Sequence, residues 1–207
     1  MKILVVGASG RVGFQLSRAL QQAGHTVVGT YSHHQPDLPN TAQLDLHAAV
    51  SEMRPLMTDV DVVYFVAGSR GKDLLQTDLN GAIKVMQAAE QSGVPRFIQL
   101  SSAYALQPDR WHEGYLQNLT DYNIAKRYAD EWLMRRTNLD YTILQPGVLT
   151  TEPATGLVSL DETTLGDNPI SDVVAMLVAV LTAERAHDRV IMMKSGQTPI
   201  NTALATL

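Results

Sequence analysis

The chain has 207 residues and a mass of 22.6 kDa, which corresponds to one domain at about 150 residues per domain. It contains no cysteine, and this excludes disulfide frameworks, thiolate metal sites and cysteine nucleophiles. The net charge of −5 comes from 16 basic and 21 acidic residues that are scattered along the sequence, a pattern that disfavours nucleic acid as a partner.

The hydrophobic runs of the sequence are too short for a membrane protein. The longest, Val173–Leu181, falls well below the ~20 residues needed to cross a bilayer. The N-terminal sequence MKILVVGASG has a brief apolar run followed at once by a glycine-rich turn, which is typical of a first strand and not of a signal peptide. We therefore expect a cytoplasmic protein.

Short apolar segments alternate along the chain with segments of helical periodicity. The predicted strands are Ile3–Val6, Thr26–Thr30, Asp61–Ala67, Arg96–Ser101, Tyr141–Leu144 and Arg189–Lys194. The predicted helices are Val12–Ala23, stopped by Gly24, and then Asp78–Gln91, Tyr122–Arg136 and Ile170–Ala183. Strands that are apolar on both faces and separated by amphipathic helices indicate a parallel sheet between two helical layers. The predicted fold class is α/β, a Rossmann-type doubly wound sheet.

The regular alternation ends after Pro146, because Thr150–Asn168 is polar and rich in turn residues. In doubly wound folds ligands bind outside the carboxyl ends of the strands. We therefore expect a single domain over residues 1–207, in which residues 148–207 contribute a small substrate-side cap and the last strand.

A glycine-rich motif, GASGRVG, stands directly between the first predicted strand and the first predicted helix. Gly7, Gly10 and Gly13 would let backbone N–H groups approach a pyrophosphate at the helix N-terminus. The alternative is a plain strand-to-helix turn, but the position of the motif favours a dinucleotide site. The residues expected to contact the nucleotide here are Gly7, Ser9, Gly10, Arg11, Val12 and Gly13.

The end of the second strand bears on the choice between NAD and NADP. NAD-binding proteins place an acidic residue there for the ribose 2′-hydroxyl. Here the sequence after Thr30 has no acid before Asp37. A 2′-phosphate would instead meet donors on Arg11, Ser32 and His33 or His34, so that NADP is favoured and NAD stays possible. A solvated polar loop is the alternative for each histidine, and a metal site is not expected.

A second group of candidate residues combines a tyrosine, a lysine and a serine. Tyr122 and Lys126 are four residues apart on a predicted helix, so both side chains emerge from one face. An ammonium beside a phenol favours the phenolate, as general acid–base chemistry requires, although a core tyrosine beside an exposed lysine would give the same spacing. Ser101 and Ser102 end a predicted strand, where a hydroxyl could polarise a carbonyl or simply cap the following loop.

Together, the glycine loop, the serine and the Tyr–Lys pair resemble the short-chain dehydrogenase/reductase superfamily. The GxxGxxG pattern and the segment LDYTILQPGVLTTEPATG are similar to the small atypical members, which are epimerase-like or NmrA-like NAD(P)-binding proteins. The resemblance covers essentially the whole chain. It implies that Ser102 is the catalytic serine and that Asp78 takes the fourth position of the active-site set. It further implies cofactor contacts from Asp45 and Leu46 at the adenine, from Ala67, Gly68 and Ser69 at the ribose, and from Pro146, Gly147 and Val148 at the nicotinamide.

The activity implied by this resemblance is hydride transfer between a nicotinamide and a small carbonyl or quinone-like substrate. Tyr122 would exchange a proton with the carbonyl oxygen, Ser102 would hold that oxygen, and Lys126 would bind the nicotinamide ribose. Asp78 would orient Lys126 directly or through water. Gln145 departs from the family pattern, which usually has arginine before Pro-Gly. The alternatives are a non-catalytic NAD(P)-sensing protein and a sugar epimerase or dehydratase-like enzyme, and either a monomer or a homodimer is expected.

Overall fold

The computed structural model describes residues 1–160 and 163–207. The strands are β1 Lys2–Val6, β2 Thr26–Tyr31, β3 Thr41–Gln43, β4 Val62–Phe65, β5 Arg96–Leu100, β6 Asp140–Pro146, β7 Val148–Thr150, β8 Leu157–Ser159, β9 Asp167–Pro169, β10 Arg189–Ser195 and β11 Thr198–Pro199. The α-helices are α1 Arg11–Gln22, α2 Val50–Met53, α3 Ala82–Gln91, α4 Thr120–Arg136, α5 Ile170–Ala179 and α6 Ile200–Leu204. A π-helical segment covers Leu74–Gly81, and short 3-10 turns cover Arg54–Met57, Pro108–Arg110, Gly114–Asn118 and Glu184–Ala186.

Within the described residues the main sheet has the strand order β11-β8-β10-β6-β5-β4-β1-β2-β3. The seven strands from β10 to β3 are parallel, while β8 and β11 extend the edge in antiparallel pairing. The chain therefore has the predicted doubly wound α/β fold. The order reverses between β1 and β4, which is the switch point where ligands bind in such sheets.

Two apolar clusters, one on each face of the sheet, stabilise this arrangement. One face of β1 packs through Ile3 and Val5 against a cluster that includes α1 and α5. The opposite face packs through Leu4 and Val6 against α3 and α4. Successive residues of a strand point to opposite faces, so a fully apolar strand such as β1 fits a sheet that is covered on both sides.

Two predicted helix boundaries are wrong. The helix expected over Asp78–Gln91 begins instead with the wide π-helical segment, in which Asp78 is buried, and continues as α3. The helix expected over Ile170–Ala183 ends at Ala179. Val180 and Leu181 stay in the core within the following turns, so the apolar pattern continues after the helix has ended.

The segment predicted to be only turn-rich, Thr150–Asn168, contains the short strand β8 and contributes to β7 and β9. These strands pair with residues far away in sequence, so local pattern does not reveal them. Residues 161 and 162 of this segment lie outside the described residues. In addition, β4 is shorter than the predicted strand Asp61–Ala67, because Val66 and Ala67 leave the sheet and line a cleft.

The region after Gly147 largely joins the body of the fold. Strand β10 pairs with β6, and α5 packs beside α1. Of the described residues after Gly147, Val148 and Leu149 line the cleft. No helix in the described parts of the chain has the length and hydrophobicity needed to span a bilayer.

Candidate active site at the carboxyl edge of the sheet

A cleft of about 1510 Å³ opens where β1, β4, β5 and β6 end. Parallel strands bring their carboxyl ends to one edge, so residues distant in sequence meet there. The predicted site residues that line the cleft are Gly7, Ser9, Gly10, Arg11, Val12, Ser32, His33, Asp45, Leu46, Ala67, Gly68, Asp78, Ser102, Tyr122, Lys126, Pro146, Gly147 and Val148.

The glycine loop connects β1 to α1 through a tight turn. Gly7 has a φ of +95°, and a Cβ on it would lie 2.7 Å from the Ala67 backbone. A Cβ on Gly13 would lie 2.2 Å from the Gly7 carbonyl oxygen. Both positions therefore require glycine for backbone packing. Gly10 differs, because its Cβ would meet only the Gly7 carbonyl, at 3.2 Å, and Gly10 itself lines the cleft.

Two predicted cofactor contacts lie behind the cleft wall. Gly13 is absent from the described cleft lining and serves the close approach of α1 to the loop. Ser69 is also absent from it, and its backbone N–H donates to Asp78 Oδ2 at 3.0 Å. Both residues therefore shape the wall without lining it.

The end of β2 supplies polar groups at one end of the cleft. Ser32 Oγ and His33 Nδ1 are 2.9 Å apart, and Arg11 lines the same cleft from the start of α1. Asp45 follows β3, and one of its carboxylate oxygens accepts the His47 N–H at 2.8 Å. These groups lie where the adenosine half of a dinucleotide would be recognised.

The tyrosine and lysine of the predicted helix do share one face of α4. Tyr122 is half-buried on the cleft wall, while Lys126 is only 3% exposed. Lys126 Nζ lies 5.7 Å from the centroid of the Tyr122 ring and donates to the Leu100 carbonyl at 3.1 Å. The ammonium is therefore held between the end of β5 and the tyrosine.

The two adjacent serines after β5 have different partners. Ser101 Oγ donates to Asp130 Oδ2 at 2.6 Å, which ties it to the interior of the fold. Ser102 Oγ makes a long contact of 3.4 Å with Asn123 Oδ1, and Asn123 is the neighbour of Tyr122. Ser102 is thus the less tightly hydrogen-bonded of the two serines, and its partner Asn123 is the residue after Tyr122.

A family model described as NAD(P)H-binding matches residues 7–184. The chain belongs to this family. A solved structure, the oxidoreductase ylbE from Lactococcus lactis, is 39% identical with a TM-score of 0.94 over 100% of this chain and 96% of that one. An uncharacterized sugar epimerase, YhfK from Bacillus subtilis, is 31% identical over the full length of both chains. The UPF0659 protein YMR090W from Saccharomyces cerevisiae is 39% identical over 76% of this chain and 74% of its own. These findings confirm the resemblance to the atypical short-chain dehydrogenases.

The residues present fit the dinucleotide that the family binds. Within the described structure no side chain caps α1, and no acidic residue stands in its first turn. The first-turn N–H groups and the positive end of the helix dipole therefore face the cleft at Arg11 and Val12, which is the arrangement that binds a pyrophosphate.

The predicted direct contact between Asp78 and Lys126 is not found. Among the described residues no ion pair or hydrogen bond joins the two side chains. Asp78 is fully buried and receives the Ser69 N–H, because the π-helical segment carries it beneath the loop that follows β4. Its other oxygen, Oδ1, has no hydrogen-bond partner in the structure described.

A buried carboxylate that the sequence analysis did not single out lies beneath Lys126. Asp130 accepts hydrogen bonds from Gln99 Nε2 at 2.5 Å, from Ser101 Oγ and from Gln145 Nε2 at 3.1 Å. Burial raises the pKa of Asp130 to about 6, while the three donors and the nearby Lys126 charge lower it. The helical spacing of Tyr122, Lys126 and Asp130, each four residues from the next, was the signal that could have found it.

Other cleft residues that the sequence did not reveal come from two loops. Arg70 and Lys72 follow β4, in a turn where Arg70 has a φ of +55°. Tyr115 and Asn118 precede α4, and burial raises the pKa of Tyr115 to about 12. Tyr115 therefore stays a neutral phenol near pH 7. Irregular loop geometry places these side chains, and no local motif encodes it.

Proposed function

We propose that the protein is an NADP-dependent oxidoreductase that transfers hydride between a nicotinamide and a small carbonyl or quinone-like substrate. The observation that carries the proposal is that Ser102, Tyr122 and Lys126 line the same cleft as the uncapped start of α1. A hydroxyl, a phenol and an ammonium beside a dinucleotide site are suited to carbonyl reduction.

When bound, the dinucleotide supplies the hydride donor or acceptor. Tyr122 exchanges a proton with the substrate oxygen, and Ser102 donates a hydrogen bond to that oxygen. Lys126 binds the nicotinamide ribose and places a positive charge 5.7 Å from the centroid of the Tyr122 ring. Asp78 acts on the backbone: it holds the Ser69 N–H and so fixes the loop that forms the ribose side of the cleft.

The proposed preference for NADP rests on the residues around the end of β2. Arg11, Ser32 and His33 line the cleft together and offer donors to a 2′-phosphate. Among the described residues Tyr31 to His34 there is no carboxylate to repel that phosphate. The carboxylate of Asp45 lies after β3 and already accepts the His47 N–H, in keeping with a place beside the adenine base.

Two segments of the cleft lining carry no charged side chain toward the substrate. The segments 115–119 and 146–149 contribute Tyr115, Asn118, Leu119, Pro146, Gly147, Val148 and Leu149 to the described lining. None of these side chains is charged, so a carboxylate or phosphate on the substrate would meet no fixed counter-charge from them. An aromatic and aliphatic wall instead suits a flat, neutral carbonyl compound.

Steady-state oxidation of NADPH against aldehydes, ketones, quinones and nucleotide sugars tests the proposal. Oxidation with a neutral carbonyl or quinone is expected. Tight NADPH binding without oxidation by any acceptor would favour an NAD(P)-sensing protein. Isomerisation of a nucleotide sugar without net loss of NADPH would favour an epimerase, the activity named for the Bacillus subtilis relative.

A further inference from the structure

Asp130 is a carboxylate with no exposure to solvent and three neutral hydrogen-bond donors. Gln99 and Ser101 reach it from the end of β5, and Gln145 reaches it from the end of β6. An ionised group in such a place costs stability, because three neutral donors replace water only in part. Hydrogen bonding to these three donors therefore does not by itself explain why a carboxylate occupies this position.

An asparagine would satisfy the same hydrogen bonds. Its oxygen could accept from Ser101 and Gln145, as Asp130 Oδ2 does now. Its amide could donate to Gln99 Oε1 after a flip of the Gln99 amide, since Gln99 Oε1 is buried and has no hydrogen-bond partner in the described structure. The hydrogen-bond network alone thus does not require a negative charge at this position.

The charge does have a partner one helical turn away. Lys126 lies four residues before Asp130 on the same face of α4 and is only 3% exposed, and its positive charge lowers the pKa of Asp130 against the effect of burial. The other groups that face Asp130, from β5 and β6, are the neutral side chains of Gln99, Ser101 and Gln145. Asp78, the buried carboxylate of the π-helical segment, makes no ion pair with Lys126 in the structure described.

Gln145 contributes to this arrangement by being neutral. Its amide donates to Asp130 Oδ2 at 3.1 Å and brings no charge to the carboxylate. An arginine there would pair with the carboxylate and cancel its charge. With a neutral glutamine at position 145, Lys126 is the cation that interacts with the Asp130 carboxylate.

We propose that Asp130 is a positioning residue whose buried negative charge attracts the Lys126 ammonium and holds it in place beside Tyr122. Asp130 also holds the Ser101 hydroxyl away from the reacting atoms, which leaves Ser102 for the substrate oxygen. The role in turnover rests on the proposed reductase function. The electrostatic link to Lys126 does not depend on turnover and is measurable in the free protein.

The test compares the pH titration of Lys126 in wild type and in Asp130→Asn by NMR. Both proteins are labelled with ¹³C at the lysine ε-carbon, and the signal that is missing in Lys126→Arg is assigned to Lys126. Lys126 is expected to lose its proton at a lower pH in Asp130→Asn than in wild type, because an opposite charge one turn away is gone. Turnover of NADPH by Asp130→Asn above neutral pH is expected to fall at least tenfold, with the alkaline side of its pH profile moved the same way.

The matched control is Asp140→Asn, which removes a carboxylate from the start of β6, where it pairs with Arg96 at the opposite edge of the sheet. It should leave both the Lys126 titration and the pH profile unchanged.

An unchanged Lys126 titration in folded Asp130→Asn would overturn the proposal, whatever the activity. A shifted titration in a protein that reduces no acceptor would support the link between Asp130 and Lys126 and refute the reductase function instead. Should Asp130→Asn fail to fold, the wild-type Lys126 signal decides: an inflection near pH 6, as Asp130 takes up its proton, supports the link, and its absence refutes it.

Discussion

Lys126 Nζ lies 5.7 Å from the centroid of the Tyr122 ring and, on its other side, donates to the carbonyl oxygen of Leu100. One ammonium therefore links the end of β5 to the tyrosine on α4. Because that ammonium is almost fully buried, its position is set by the fold and not by solvent. This relation is the reason to expect that changes at Lys126 affect cofactor binding and turnover together.

Lys126→Met should lower NADPH affinity roughly tenfold or more, since a hydrogen bond from a charged group to the ribose is lost. It should also lower turnover by about 10²-fold or more, because the positive charge beside the proposed proton donor Tyr122 is lost. Calorimetric titration with NADPH and steady-state kinetics measure the two effects. Lys84→Met is the matched control, because Lys84 Nζ donates to a backbone carbonyl, that of Ala48, outside the described cleft lining. Equal effects of the two substitutions would contradict the assignment.

Arg11→Ala should weaken NADPH binding about tenfold and leave NADH binding nearly unchanged, because the guanidinium is expected to contact only the 2′-phosphate. Wild-type protein should bind NADPH more tightly than NADH in the same calorimetric assay. Arg18→Ala, on the same helix beside Phe14, should change neither affinity. Tighter binding of NADH than of NADPH by the wild-type protein would contradict the proposed preference for NADP. An equal loss of affinity for both nucleotides in Arg11→Ala would contradict it as well.

Gly10→Val should abolish binding of both nucleotides while the protein still folds. The backbone of Gly10 has a φ of −82°, which valine tolerates, and the added side chain would extend into the cleft where the pyrophosphate is expected. Gly13→Ala should behave differently and lower the melting temperature, because its Cβ would collide with the Gly7 carbonyl. Thermal unfolding with and without NADPH separates the two cases. Retained NADPH binding by Gly10→Val would argue against a pyrophosphate at this loop.

The sequence revealed those parts of the fold that are encoded locally. Strand β1 was predictable because both of its faces are buried and its residues form an uninterrupted apolar run. Strands β8 and β11 were not, because each has two or three residues and exists through pairing with distant partners. The π-helical segment was likewise missed, since its apolar spacing resembles that of an ordinary helix.

The same distinction holds for the candidate site. The glycine loop and the Tyr122–Lys126 spacing were visible because each lies within a few consecutive residues. Asp78 was singled out, but its partner proved to be the Ser69 backbone, a contact that depends on how the loop after β4 folds. Arg70 and Tyr115 reach the cleft from irregular loops, which carry no periodic signal.

Asp130 also predicts how stability depends on pH. Its pKa is raised from 3.8 to about 6, so between these values the folded protein binds more protons than the unfolded chain, and stability falls as pH rises. The contribution is about 2–3 kcal/mol, present below pH ~4 and lost above pH ~6. Relative to wild type, Asp130→Asn should therefore gain unfolding free energy as the pH rises from about 4 to about 7. Urea denaturation at both pH values measures the difference, and a constant difference would show that Asp130 does not titrate in this range.

The most direct test of the proposed chemistry is Tyr122→Phe, which removes one hydroxyl from the cleft wall and keeps the ring beside Lys126. NADPH affinity should stay nearly unchanged, while turnover of the best carbonyl or quinone acceptor should fall by about 10²–10⁴-fold, as expected when a general acid is lost. Both quantities are measured on the same preparation, by calorimetry and by steady-state NADPH oxidation. Turnover at the wild-type rate in Tyr122→Phe would contradict the assignment of Tyr122 as the proton donor.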